Sequence, residues 1–149
     1  ARVQQIAARR EAQLLQHAAA APDVTAPPRV LVGVKLLQEL VRLPAGDLIA
    51  MGYVMSNWPD RECSELLRNA HSACVPGGRV LIMERLFDDG RDGPIATAVM
   101  NLEMQVETQG RHRTPAEYFE LLTDAGFVDP EVRRSTRDKH LVIGRKRSG

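Results

Sequence analysis

Short apolar runs separated by amphipathic segments dominate the hydrophobic pattern of the chain. Residues 29–34 form a short run rich in valine, and residues 47–55 and 79–87 form two longer, nearly continuous runs. Near-continuous apolar runs are typical of strands that are buried on both faces of a parallel sheet. We therefore expect three strands at these positions, of which the second and third are buried on both faces.

Apolar residues at helical spacing separate these runs. One helix is predicted to begin at Pro59-Asp60 and to end at Pro76-Gly77-Gly78, a breaker whose glycines allow positive φ. Residues 36–43 predict a helical turn, and Pro94 suits the first turn of a further helix that runs to about residue 106. The buried face of the first helix is predicted to consist of Cys63, Leu66, Leu67, Ala70 and Cys74.

The last third of the chain carries the most specific local signals. Thr114 and Glu117 form a predicted capping box, with Pro115 at the first helical position. Residues 128–133 and 140–145 then predict two strands with no helix between them, which implies an antiparallel hairpin. The order of strands and helices is therefore that of an α/β domain with a mostly parallel sheet and a C-terminal antiparallel hairpin.

The first 28 residues have a different character from the rest. Residues 2–17 predict an amphipathic helix with one docking face, rather than a nucleic-acid-binding arm. Residues 18–28 contain three prolines and no periodicity, so we interpret them as a linker rich in proline and alanine. The predicted organisation is a helix and linker over residues 1–28, followed by the α/β domain over residues 29–149.

Composition narrows the class of protein. The 149 residues are 44% hydrophobic and 26% charged, with a net charge of +1, which indicates a soluble globular domain that binds neither nucleic acid nor membrane. No apolar run has the length of a membrane span, and we expect no signal peptide. With two cysteines we expect no disulfide framework, no metal site and a cytoplasmic location.

Chemistry is expected at the carboxyl edge of the sheet, because ligands of open α/β sheets bind beyond the carboxyl ends of the strands. This rule points to residues 51–58 and 84–89, with residues 110–114 folding over them. The candidate side chains in and near these segments are Tyr53, Ser56, Asn57, Trp58, Glu84, Glu103 and His112.

Several of these candidates also have a structural interpretation. Trp58 either stacks on a ligand or plugs the junction between strand and helix. Ser56 or Asn57 either takes part in chemistry or caps the helix that follows. His112 lies in a Gly-Arg-His-Arg segment that is typical of a solvated polar turn.

Charge pairing offers a further alternative. Glu84 either meets a ligand or pairs with Arg85 or Arg111. Arginines and lysines make residues 133–147 basic, and we interpret them as a solvated edge rather than a nucleic-acid site.

Taken together, these segments resemble one protein family. The order D-L-x-x-M, N-W-x-D, P-G-G-R-V-L-I-x-E, G-x-x-R-T-x-x-E-Y and L-L-x-x-A-G-F is similar to the carboxyl-terminal half of class I S-adenosylmethionine (SAM)-dependent O-methyltransferases. The type is that of acetylserotonin, caffeate and bacterial natural-product enzymes, and the resemblance runs from about residue 29 to 146. It implies a Rossmann-like methyltransferase sheet, SAM as cofactor and the hydroxyl of a small aromatic metabolite as acceptor.

The resemblance also implies roles for individual residues. Met51, Gly52 and Trp58 match positions beside the cofactor. Met100 and Met104 match helix positions that line the acceptor pocket, as does Glu103, and Tyr53 is a further candidate for contact with the acceptor.

The chain departs from the family at the positions of the catalytic base and of the residue that orients it. The family's His-Asp-Trp is Ser56-Asn57-Trp58 here, and the glutamate that orients the family's histidine is His112. Serine does not accept a proton at neutral pH without a base of its own. Either His112 or Glu103 has taken over as the base, or proton removal is no longer needed.

Larger elements of the family pattern are missing. The glycine-rich SAM loop, the acidic residue that binds the ribose and the N-terminal helical domain have no counterpart in the sequence. Without the first strands, residues 47–55 are expected to form an exposed apolar edge. We therefore expect a fragment, an incompletely recorded chain, or a subunit that pairs as a homodimer or with a second methyltransferase-like chain. The alternative functions are natural-product tailoring without methyl transfer and a non-catalytic partner subunit.

Overall fold

The structure, a computed structural model, describes residues 30–33 and 45–149. For residues 30–33 it describes the backbone. The expected helix at residues 2–17, the linker at 18–28 and the helical turn at 36–43 lie outside the described residues.

The described chain forms a five-stranded sheet in the order β1-β2-β3-β5-β4. The first three of these strands pair in parallel, and β5 pairs antiparallel with both β3 and β4. The prediction of a mostly parallel sheet with a C-terminal antiparallel hairpin is thereby confirmed. The strands are β1 Val30–Gly33, β2 Gly46–Gly52, β3 Cys74–Glu84, β4 Val128–Arg133 and β5 His140–Arg145.

Strand β2 corrects two expectations. Ile49 and Met51 are buried, whereas Leu48 and Ala50 on the opposite face are half-buried, so the described residues bury only one face completely. The strand also lies between β1 and β3, and the edge expected at residues 47–55 falls on β1 instead. The apolar run is continuous because both faces are covered in part, not because both are fully buried.

Helix α1, Asp60–Ala73, leads directly into β3 at Cys74, five residues before the predicted start of that strand. Pro76-Gly77-Gly78 therefore does not end the helix, and Cys74 caps it rather than lying on its face. The register between β2 and β3 shifts here, so residues 75–78 form a bulge in which Gly77 has a φ of 79°. Glycine suits a bulge as well as a helix end, and the sequence pattern does not distinguish the two.

Both inner strands end three residues earlier than predicted. Strand β2 stops at Gly52 because Tyr53 adopts the left-handed region with a φ of 56°. Strand β3 stops at Glu84, and only Leu86 beyond it forms an isolated bridge, to Arg113.

Helices α2, Ile95–Glu107, and α3, Pro115–Asp124, follow β3. The predicted capping box at the start of α3 is confirmed, because Thr114 Oγ1 accepts from the Glu117 backbone N–H at 3.3 Å and Glu117 Oε2 accepts from the Thr114 N–H at 2.8 Å. This arrangement satisfies two backbone donors that helix formation leaves without a partner.

The core lies between one face of the sheet and helices α1 and α3. Helix α1 contributes Leu66 and Leu67, α3 contributes Tyr118 and Leu122, and β3 contributes Ile82. Helix α2 takes little part, because Thr97 is its only buried residue. Over the residues that the structure describes, no helix combines the length and apolar character that a membrane crossing requires.

Candidate functional site

A short turn follows β2 at the carboxyl edge of the sheet. Residues Met55–Asn57 form a 3₁₀ helix and Trp58 leaves it in an extended conformation; we call residues 55–58 the edge turn. The Tyr53 backbone N–H donates to Met83 O at 3.2 Å, which ties the start of the turn to the end of β3. The turn therefore places Ser56, Asn57 and Trp58 beyond the ends of two adjacent parallel strands, as the sequence predicts.

Glu84, the last residue of β3, is completely buried behind this turn. Its Oε1 accepts from the Ser56 backbone N–H at 3.2 Å, and its Oε2 has no hydrogen-bond partner among the described residues. Burial raises the pKa of Glu84, although hydrogen bonds from Ser56 and Met55 and the charge of Arg113 oppose that rise.

Glu84 forms neither of the ion pairs proposed as its structural interpretation. Arg85 pairs with Asp138 instead, and Arg111 pairs with Asp60 and Glu117. The reason is position, since the Glu84 side chain points into the core whereas both arginines lie nearer to solvent.

Arg113 is the residue that the sequence analysis missed. Its side chain is completely buried, and its Nε and Nη2 donate to Asp60 Oδ1 at 2.9 and 2.7 Å. Nη1 donates to Met55 O at 2.8 Å and Nη2 to Trp58 O at 2.9 Å. Burial opposes the charge on Arg113, but the surrounding groups, Asp60 among them, outweigh it and the pKa of Arg113 is raised.

Asp60 belongs to the same group of contacts at the first turn of α1. Burial raises its pKa, but hydrogen bonds from Arg111 and Arg113 outweigh that contribution and hold the pKa of Asp60 below its usual value of 3.8. The carboxylate is therefore ionised at neutral pH and balances the buried guanidinium of Arg113.

Cys63 completes the contacts beneath the edge turn. Its Sγ donates to Met55 O at 3.3 Å and to Trp58 O at 3.5 Å, the same two carbonyls that Arg113 contacts. Burial raises the pKa of Cys63 to about 11, so the thiol keeps its proton at neutral pH and remains a donor.

Gly110 explains how residues 110–114 approach the turn. A Cβ atom at this position would lie 2.0 Å from Ser56 O and 2.5 Å from Trp58 N, closer than any real side chain allows. Only glycine permits this contact between the two backbones. The expectation that residues 110–114 fold over residues 51–58 is thereby confirmed.

His112 is buried, with 4% of its surface exposed, and the interpretation as a solvated turn is wrong. Its backbone N–H donates to Asn101 Oδ1 on α2 at 2.7 Å. Neither ring nitrogen has a hydrogen-bond partner among the described residues. Burial lowers the pKa of His112, and the charges of Arg85 and Arg113 add to this, so the imidazole is neutral at pH 7 and has a lone pair available.

Asn57 and Trp58 border an open cleft. Asn57 Nδ2 donates to Tyr53 O at 2.8 Å, and the half-buried Trp58 packs against the core. Neither Ser56 nor Asn57 caps α1, because Pro59 occupies the cap position, so that alternative is wrong. The cleft has a volume of about 350 Å³ and is lined by Asn57, Trp58, Pro59, Glu62, Glu107, Thr108 and Gln109.

The other predicted site residues lie at the same edge or on α2. Gly52 is the last residue of β2, and the exposed Tyr53 ring lies 4.4 Å below Lys139 Nζ. The Met51 side chain packs in the core. On α2, Met100 and Met104 are half-buried, whereas Glu103 is exposed.

The fold and this edge define a class of protein: a Rossmann-like methyltransferase sheet, parallel at first, whose last strand is inserted antiparallel. The family model of the O-methyltransferase domain matches residues 25–128, and the chain belongs to this family. The resemblance drawn from the sequence motifs is therefore confirmed.

Individual relatives agree with this assignment. The chain is 41% identical over 104 residues to acetylserotonin O-methyltransferase of Gallus gallus, a match that covers 70% of this chain and 30% of the relative. It is 34% identical over 105 residues to the tetracenomycin polyketide synthesis 8-O-methyl transferase TcmO of Streptomyces glaucescens, covering 70% and 31%. The chain thus spans about 30% of the length of these curated relatives.

A solved structure supports the fold. The crystal structure of human N-acetylserotonin methyltransferase in complex with SAM superimposes with a TM-score of 0.69 at 38% identity. The match covers 71% of this chain and 31% of the human chain. The SAM bound to that protein agrees with the cofactor that the sequence motifs imply.

Proposed function

We propose that this chain forms part of a SAM-dependent O-methyltransferase that methylates a hydroxyl of a small aromatic metabolite. The observation that carries the proposal is the extent of the family match, which includes β2, the edge turn, Gly110, His112 and the capping box. The relatives named for acetylserotonin and for a polyketide support an aromatic acceptor.

We assign the cofactor to the edge of β2. Trp58 offers a half-buried indole beside the cleft, and Gly52 adds no side chain of its own at the end of the strand, which suits the approach of a flat heteroaromatic group. Because the Met51 side chain packs in the core, we expect Met51 to contact the cofactor through its backbone. SAM would supply the methyl group. Trp58 and Gly52 would orient SAM toward the acceptor, and Tyr53, Met100 and Met104 would contact the acceptor.

We assign the role of general base, which accepts the proton of the acceptor hydroxyl, to His112 rather than to Glu103. The imidazole is neutral and has no competing hydrogen bond among the described residues, and Gly110 holds its segment against the edge turn. Glu103 lies on the exposed side of α2. In this assignment the acceptor hydroxyl gives its proton to a ring nitrogen of His112, and Ser56 and Asn57 orient the hydroxyl.

The test begins with calorimetric titration of the full chain with S-adenosylhomocysteine. Binding in the micromolar range, about −8 kcal/mol, supports the cofactor assignment, and no heat from a folded chain contradicts it. Methyl transfer from SAM to aromatic hydroxyls, beginning with N-acetylserotonin, is then compared between His112→Gln and Glu103→Gln. We expect a loss of about 10²-fold or more for His112→Gln and none for Glu103→Gln, and the reverse result would reassign the base.

One observation favours a second candidate function. Ser56 stands where the family has its histidine, and the Ser56 backbone is held by Glu84 rather than left free for chemistry. The second candidate is a methyltransferase-like protein without methyl transfer, either a tailoring enzyme or a non-catalytic partner subunit. Product formation with SAM left intact supports a tailoring enzyme, and co-purification with a larger chain supports a non-catalytic partner subunit.

We further propose that the protein assembles, as a homodimer or with a second methyltransferase-like chain. Support comes from α2, where Ile95, Val99, Leu102 and Val106 form an exposed apolar stripe. Two free, buried cysteines support a reducing compartment such as the cytoplasm. Light scattering tests the assembly: Leu102→Glu is expected to shift an oligomer to monomer, and an unchanged mass would contradict the role of the stripe.

A further inference from the structure

Side chains from other elements hold the edge turn in addition to the backbone hydrogen bonds of its own 3₁₀ helix. The Ser56 N–H is bonded to the Glu84 carboxylate, and the carbonyls of Met55 and Trp58 are bonded to Arg113. All of these partners are distant in sequence from the turn, by 28 residues for Glu84 and by 55 to 58 for Arg113. The position of the turn therefore depends on buried polar groups in other elements.

We propose that Arg113 is a positioning residue that fixes the edge turn, and with it Trp58, at the site of the cofactor. The inference rests on the proposed function for its cofactor, but the contacts themselves are independent of it. The Arg113 side chain is completely buried, so in this proposal it acts through the backbone of Met55 and Trp58 and not through direct contact with a ligand.

The chemistry of the guanidinium explains why arginine occupies this position. An arginine has five N–H donors in a planar fork, and all five are used here: two on Asp60 Oδ1 and one each on Met55 O, Trp58 O and Arg111 O. A lysine has three donors on one point and does not span these acceptors. The Cys63 thiol contacts the same two turn carbonyls at longer range and is a weaker donor, so it does not replace Arg113.

Asp60 fixes the orientation of the Arg113 guanidinium. It accepts from Nε and Nη2 together, which orients the guanidinium plane, while Nη1 and the second hydrogen of Nη2 face the turn. Since Asp60 is also the first residue of α1, the start of the helix and the edge turn are held by one cation. Movement of Arg113 would therefore remove contacts from the edge turn, which contains Trp58, and from the start of α1, which follows it.

Trp58 is the only tryptophan in the chain, so its fluorescence reports on the edge turn alone. In Arg113→Lys we expect a red shift of the emission maximum and stronger quenching by acrylamide, because the indole becomes more exposed to water. The matched control is Arg133→Lys, an exposed arginine on β4 that pairs with Glu131, which is expected to leave both signals unchanged. An Arg113→Lys protein that is folded by circular dichroism and has the wild-type Trp58 spectrum overturns the inference.

Asp60→Asn provides a second variant in case Arg113→Lys fails to fold. It keeps the shape of the acceptor but removes the charge that orients the guanidinium, and Asp60 is half-exposed, so folding should tolerate it. A shift of Trp58 emission in the same direction supports the inference, and an unshifted spectrum overturns it.

Titration with S-adenosylhomocysteine then separates this inference from the proposed function. For a chain that binds, we expect the dissociation constant of Arg113→Lys to rise about tenfold, because a displaced Trp58 no longer fits the ligand. An unchanged dissociation constant beside a shifted spectrum overturns the link to the cofactor. A wild-type chain that does not bind overturns the proposed function, while the fluorescence of the variants still decides whether Arg113 fixes the turn.

Discussion

Helices α2 and α3 are similar in length but are held to the sheet in different ways. Helix α3 begins with a complete capping box and buries Pro115, Tyr118 and Leu122. Helix α2 has no side-chain cap, and it exposes the apolar stripe from Ile95 to Val106.

The contacts of α2 with the sheet region are mainly polar. Thr97 Oγ1 donates to Leu86 O at 3.3 Å, and Asn101 Oδ1 accepts from the His112 N–H at 2.7 Å. The difference teaches that α3 stabilises the fold through burial, whereas α2 is positioned by hydrogen bonds next to the candidate base. We therefore expect substitutions in and around α3 to change stability and matched substitutions on α2 to leave it almost unchanged.

The largest effect is expected from Leu122→Ala. Leu122 is completely buried, so its truncation leaves a cavity and should cost about 2–5 kcal/mol of unfolding free energy. The control is Gln105→Ala on α2, an exposed residue outside the apolar stripe, for which the expected change is within about 0.5 kcal/mol. Urea unfolding followed by circular dichroism measures both, and equal losses would contradict the contrast between the helices.

Gly110→Ala should have the next largest effect. The new Cβ would overlap Ser56 O and force residues 110–114 away from the edge turn, at a cost of about 1–3 kcal/mol. In the control, Gly90→Ala, the nearest atom is the Asp92 carboxylate at 3.2 Å, which is the end of a flexible side chain and moves aside. Similar unfolding midpoints for the two variants would show that the backbones are not in close contact.

A smaller effect is expected from Thr114→Ala. The variant loses the hydroxyl that accepts from the Glu117 N–H, and removal of such a cap costs about 1 kcal/mol. Thr123→Ala on the same helix is the control, because the exposed Thr123 hydroxyl donates to Phe119 O within the helix and caps nothing. Thermal unfolding should lower the midpoint for Thr114→Ala only.

The smallest expected effect is a change in the pH dependence of stability for Glu84→Gln. Burial raises the pKa of Glu84, so the folded chain holds a proton more tightly than the unfolded chain, and stability falls as pH rises from about the usual value of 4.5 through the raised pKa. Glutamine still accepts from the Ser56 N–H but does not titrate, so this fall should be absent. Unfolding at a series of pH values tests it, and a Glu84→Gln variant that keeps the wild-type slope would contradict it.

Elements with local signals were predictable from the sequence. The capping box at Thr114 and the strands at residues 128–133 and 140–145 have the predicted bounds, because cap chemistry and the shortness of the connection are encoded within a few residues. The bulge at residues 75–78 was not predictable, since a proline followed by two glycines is equally compatible with the end of a helix.

The site was predictable as a location but not as a set of contacts. The rule for strand ends identified residues 51–58 and 84–89, and the structure places the edge turn and Glu84 there. The burial of His112 and Arg113 contradicts the polarity of their segment, and the burial of Arg113 depends on carbonyl groups more than fifty residues away. Pattern reasoning expects arginine at the surface, so this arrangement becomes visible only when the acceptors are in place.

The order of the strands has a consequence for how the chain is synthesised. Among the described strands, β5 is made last but lies between β3 and β4, and it is the only partner of β4. During translation β4 therefore emerges from the ribosome before the strand that holds it, and it stays unpaired until residues 140–145 follow. A stop codon a few residues before His140 would thus remove two strands from the sheet at once.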